Sequence, residues 1–175
     1  MTAPDGRPML RHAVATLAYR AAKVLRSYPE ASVETRLAPS ARSPLELLAH
    51  LADLMHWADG LARGEDRWQP VSEGGWAAHR ERFFRNLAAL DAALAAPPAG
   101  AQPAPPEKIF QGPVADALTH VGQLALLRGL AGAPVRPESY ARAEIQAGQI
   151  GAEQPAPRAE FDGDASVRRR DGPPK

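Results

Sequence analysis

Three polar side chains occupy positions where helical spacing calls for apolar ones. His50 falls among Leu47, Leu51 and Leu54, on the apolar face of one segment. Asp116, His120, Gln123 and Leu127 share one stripe of a later segment. Helical residues four apart project to the same side, one turn apart. The Asp116 carboxylate and the His120 imidazole can therefore hydrogen-bond to each other or bind one metal ion. If the two segments are neighbouring helices, His50 joins them at one point. Two imidazoles and one carboxylate leave coordination positions open, as a catalytic site does and a closed structural site does not. Gln123 would then orient a ligand from behind or hydrogen-bond a substrate. Glu46 and Asp53 flank His50 at helical spacing and are the candidates for a general base by position alone.

Each of these residues also has a purely structural explanation. A lone histidine on an apolar face is more often a satisfied core or boundary residue. An acid in the first turn of a helix, where Asp116 falls, is favoured by the helix dipole without any metal. Gln123 can hydrogen-bond across a bundle. His12, His56 and His79 show no partner pattern and read as surface residues. Trp57, Trp68 and Trp76 read as packing residues, and the run Arg168-Arg169-Arg170 as a solvated tail.

The elements that must position these residues are helices. Apolar positions Leu10, Val14, Leu17, Ala21, Val24 and Leu25 recur at helical spacing from Met9 to about Ser27, where Tyr28-Pro29 ends the run. Ser43-Pro44-Leu45-Glu46 carries a capping serine, a proline at the first helical position and a glutamate three residues after the cap. The second helix runs from there to Arg63, with Gly64 as its terminator. A third spans about Ala77 to Ala96. Prolines at 97, 98, 103, 105 and 106 make 97–106 an extended linker. Gln111-Gly112-Pro113 starts the fourth helix, which ends at Ala131-Gly132, and a short helix is expected at Glu138–Gln146. The expected architecture is an all-α four-helix bundle over residues 1–147, followed by an irregular tail at 148–175, rich in Gly, Pro and charge, that packs along the bundle.

Composition agrees with this and excludes several function classes. The chain has 175 residues, enough for one domain with a sizeable core. Hydrophobic residues make up 45% and aromatics 6%, and the apolar part is mostly Ala and Leu, which suits helices. There is no cysteine, which removes disulfides, thiolate ligands and cysteine nucleophiles. Lys plus Arg number 21 against 20 Asp plus Glu, so no nucleic-acid footprint is expected. Charges interrupt every apolar stretch, and neither a membrane span nor a signal peptide is expected. A cytoplasmic protein is the default expectation.

The segment Ser43-Pro44-Leu45-Glu46-Leu47-Leu48-Ala49-His50-Leu51 resembles the second helix of the DinB-like family, which includes the YfiT-type metal-dependent hydrolases. His50 matches that family's metal-binding histidine. The family's last helix carries a histidine, three further residues, then a second histidine followed by Arg-Gly-Gln. Here His120-Val121-Gly122-Gln123 matches the second histidine with its Gly-Gln. Asp116 stands at the first histidine's position and Val121 at the arginine's. A carboxylate there turns a three-histidine site into a two-histidine, one-carboxylate site; the same exchange also suits a cluster that has lost its metal. The resemblance covers most of residues 10–132. It implies a four-helix bundle with a long crossover between helices two and three, a homodimer, and a divalent metal such as zinc or nickel. The implied activity is a hydrolase or a thiol-dependent transferase acting on an unidentified small molecule. The competing expectation is a non-catalytic bundle whose buried His/Asp cluster serves small-molecule binding or dimerisation.

Overall fold

The computed structural model describes residues 5–96 and 102–161. Among these, the chain is all-helical and has no strand; a lone antiparallel bridge joins Glu138 to Glu160. Helix α1 spans Arg7–Leu25, α2 Pro44–Arg63 and α3 Trp76–Ala95. The fourth rod is composite: α4 at Pro106–Ile109, a π turn at Phe110–Val114, then α5 at Ala115–Leu130.

Helix α2 follows from its local sequence. The Ser43 hydroxyl accepts from the Glu46 amide, and the Glu46 carboxylate accepts from the Ser43 amide, closing a capping box. Two otherwise orphaned donors are thereby satisfied, at a gain of about 1 kcal/mol. At the other end Gly64 adopts φ 84°, a left-handed conformation that glycine reaches without a Cβ penalty.

The fourth rod starts earlier than its sequence suggests. Pro113 does not open it but lies inside it. A proline interior to an α-helix has no N–H to donate and crowds the carbonyl one turn back. Here the wider π turn absorbs the ring, and the helix continues on both sides. The prolines of the preceding linker stop at Pro105, and Pro106 becomes the first helical residue; residues 97–101 of that linker lie outside the described residues. The helix expected at Glu138–Gln146 is reduced to a 3-10 turn at Tyr140–Arg142.

Helix α1 packs chiefly on α3 and α5, and so does α2. This places α2 beside the fourth rod, the adjacency that a shared site requires. The core between them is built from fully buried Leu17, Leu48, Leu51, Phe83, Leu87 and Leu124. After α5 the chain returns along α1. Ile150 is buried, and Lys23 of α1 pairs with Glu138 at 2.6 Å and Glu160 at 2.8 Å. The Tyr19 hydroxyl donates to Glu138 at 2.8 Å. The part of the tail up to Phe161 is thus tied to the bundle; residues 162–175, which include the triple arginine, lie outside the described residues. No described helix is long and apolar enough to cross a membrane.

Candidate metal centre

His50 projects from α2, and Asp116 and His120 from successive turns of α5. Tertiary packing brings the three together: one potential ligand atom from each lies within 4.8 Å of the others. The His120 Nε2 is 3.3 Å from Asp116 Oδ1, and the His50 Nε2 is 3.5 Å from Asp116 Oδ2. The two imidazole rings meet edge to face, with centroids 4.9 Å apart. Ligands held 2.0–2.2 Å from a tetrahedral ion are separated by about 3.3–3.6 Å; the two His–Asp spacings fall in that range, each to a different carboxylate oxygen, while the group as a whole spans up to 4.8 Å. The histidine side chains are largely covered, at 18% and 12% exposure, while Asp116 stays 47% exposed and keeps the centre open to solvent.

Gln123 lies against His120. Its Oε1 lies 2.7 Å from His120 Nδ1, one turn along α5. In the tautomer that donates the Nδ1 proton to that carbonyl oxygen, the Nε2 lone pair of His120 is turned toward the Asp116 carboxylate. Two electron-rich atoms at 3.3 Å repel unless a proton or a cation lies between them. His50 is held toward its neutral form. Burial first, then the nearby charge of Arg42, then His120, push its imidazole below its ordinary pKa, and Asp116 only partly opposes them. A neutral imidazole is the form that binds metal.

The helix-dipole explanation of Asp116 weakens with the extended fourth rod. Asp116 is in the first turn of α5, but α4 and the π turn continue the helix upstream to Pro106. The dipole's influence is confined to the terminal turn.

Glu46 and Asp53 are otherwise engaged. Glu46 completes the capping box and pairs with Arg36. Asp53 is buried and pairs with Arg82 of α3, and its Oδ1 also accepts from the Val71 amide at 3.1 Å. Neither serves as a base at the centre in this arrangement. His79, expected on the surface, is 2% exposed. Its Nδ1 accepts from Arg82 Nη2 at 3.2 Å, and it lies under the crossover that joins α2 to α3. His12 and His56 are exposed, as expected.

Two residues border the centre in a way that sequence reasoning does not anticipate, although it does place Trp68 among packing residues. Trp68, on the crossover, sets its ring edge to face against His50, with centroids 5.6 Å apart, and against Trp57 at 5.8 Å. Its sequence signal is a tryptophan in the polar run Glu65-Asp66-Arg67, where no core demands one. Arg42 precedes the α2 cap and carries no signal of its own beyond its charge. Trp57 and Trp76 pack as expected: the Trp57 Nε1 donates to Asp66 at 2.8 Å, and Trp76 leans on Tyr28 at 4.6 Å between centroids.

Fold and site together define an all-α bundle with a two-histidine, one-carboxylate group able to hold a metal ion. Comparison with protein-family models, curated proteins and solved structures returned no match to the chain.

Proposed function

We propose that His50, Asp116 and His120 hold a divalent cation, zinc or nickel, and that the protein is a metal-dependent enzyme of DinB-like type, a hydrolase or a thiol-dependent transferase. The observation that carries this reading is the unbalanced donor set. One ligand atom from each of two imidazoles and a carboxylate lies within 4.8 Å of the others, and among the described residues no guanidinium or ammonium group pairs with Asp116. A cation there would supply Lewis acidity and lower the pKa of a water or thiol substrate. The chain's own residues do the rest. Gln123 holds the His120 proton on Nδ1 and leaves Nε2 free. Trp68 walls His50 on one side, and the exposed edge at Asp116 leaves an approach for a substrate.

Metal analysis of tag-free protein, followed by zinc and nickel titration, tests the proposal. One equivalent per chain is expected in the wild type and none in His50→Ala or His120→Ala. A folded wild type that takes up neither metal at micromolar concentrations would sink it, and the cluster would then be a hydrogen-bonded polar group inside a non-catalytic bundle.

A further inference from the structure

Beside the proposed centre lies a pocket of about 410 Å³, a size typical of small-molecule sites. His120 and Gln123 form part of its wall, so the pocket reaches the candidate metal centre. The rest of the wall is mainly apolar, with Leu37, Leu47, Leu126 and Leu127. The lining contains one full positive charge, Arg42. Leu37 and Leu126 are 60% and 62% exposed and give the pocket an apolar rim.

Arg42 differs from the other arginines that touch the site region. Arg36 is paired with Glu46 and Arg82 with Asp53. Arg42 has no hydrogen bond or ion pair to any described residue. Its charge is nevertheless close enough to His50 to be felt there. An unpaired guanidinium in the wall of an otherwise mainly apolar pocket favours a planar anion that accepts two parallel N–H bonds.

We infer that the pocket takes a small carboxylic acid with an apolar body, its carboxylate on Arg42 and its tail between Leu37, Leu47, Leu126 and Leu127. The inference rests on the metal reading for the fate of the substrate, because His120, a candidate ligand, lines the same pocket as Arg42. The anion preference itself belongs to Arg42 and exists without metal.

Octanoate and 1-octanol serve as probes, because they share a tail and differ in charge. Calorimetric titration of the chelator-treated, metal-free protein should show octanoate binding at least roughly tenfold more tightly than octanol, as expected for a charge-assisted hydrogen-bonded pair. Arg42→Gln should bring the two ligands within about twofold of each other while octanol binding is retained. Arg42 is exposed and unpaired, so that variant keeps the fold. Leu126→Asp, also at an exposed position, should weaken octanoate at least roughly tenfold by setting a like charge on the wall. A wild type without preference for octanoate, or an Arg42→Gln protein that keeps the preference, would overturn the inference. Zinc titration of the same samples separates it from the metal reading. His50→Ala should lose zinc and keep the octanoate preference, and loss of that preference would count against Arg42 as the anion site. A wild type that selects octanoate but binds no zinc would remove the metal reading and leave the anion site standing.

Discussion

Two clusters in this molecule each join aspartate and histidine and reach opposite electrostatic ends. In one, Asp53 of α2 meets Arg82 of α3, which in turn contacts His79; in the other, Asp116 of α5 meets His120 and, from α2, His50. The Asp53 side chain is 6% exposed and its charge is matched by a guanidinium. Arg82 also donates to the carbonyls of Ala49 at 3.0 Å and Val71 at 3.2 Å, so α2, the crossover and α3 are laced together. The Asp53 charge is thus matched, although His79 Nε2 and Arg82 Nε stay buried without a hydrogen-bond partner. The Asp116 cluster is half open, and among the described residues its carboxylate pairs only with imidazoles. Histidine next to aspartate is thus a poor guide to a site by itself. The missing counter-charge is what separates a candidate centre from a structural rivet.

The comparison breaks most visibly at Arg82. Arg82→Met leaves the Asp53 carboxylate buried without its partner, and such a loss costs about 3–5 kcal/mol. Urea unfolding of the metal-free protein should show this. Zinc uptake by the fraction still folded should be unchanged, since the α5 cluster is separate. A cost below about 1 kcal/mol would mean that Asp53 is not held as a buried ion.

Asp116→Asn sharpens the other side. The size and shape of the side chain persist, but the charge that offsets a cation is gone. Stability of the metal-free protein should move by less than about 0.5 kcal/mol, because this carboxylate is half exposed and unpaired with any fixed cation. Zinc affinity should fall at least roughly a hundredfold, and the zinc-induced rise in melting temperature should shrink accordingly. Equal zinc-induced shifts in wild type and variant would show that Asp116 is no ligand.

The smallest expected effect is a dependence on pH shared by the two clusters. Both His50 and His79 are pushed below the ordinary histidine value of 6.5, chiefly by burial and next by Arg42 and Arg82 respectively. The unfolded chain therefore takes up protons at a higher pH than the folded one. The stabilising contribution is complete above about pH 6.5 and is lost as the pH falls from there through the lower folded values. Metal-free wild type should melt lower at about pH 5.5 than at about pH 7.5. His50→Gln and His79→Gln should each flatten that slope, and zinc should protect only through His50. A slope unchanged in both variants would remove these histidines from the account.

How much of this was legible in the sequence depends on the range of the forces involved. The limits of α2 could be read directly, because Ser43, Pro44, Glu46 and Gly64 act within one turn of themselves. The start of the fourth rod could not, because Pro113 is a good first residue and a poor interior one; only the π turn reconciles it with a continuous helix. The crossover hides the side chain of His79, and no periodicity within α3 announces that.

The sequence by itself determined that Asp116, His120 and Gln123 stand together, since three- and four-residue steps along one helix are set by backbone hydrogen bonds. It also determined that no cysteine chemistry takes place here. Only the tertiary structure decided that His50 completes the group, that Arg42 and Trp68 border it, and which aspartate receives a guanidinium. Those outcomes depend on which helix faces lie against each other. That is settled by burying the leucine and phenylalanine faces of all four rods at once, a sum over the whole chain that no local window contains.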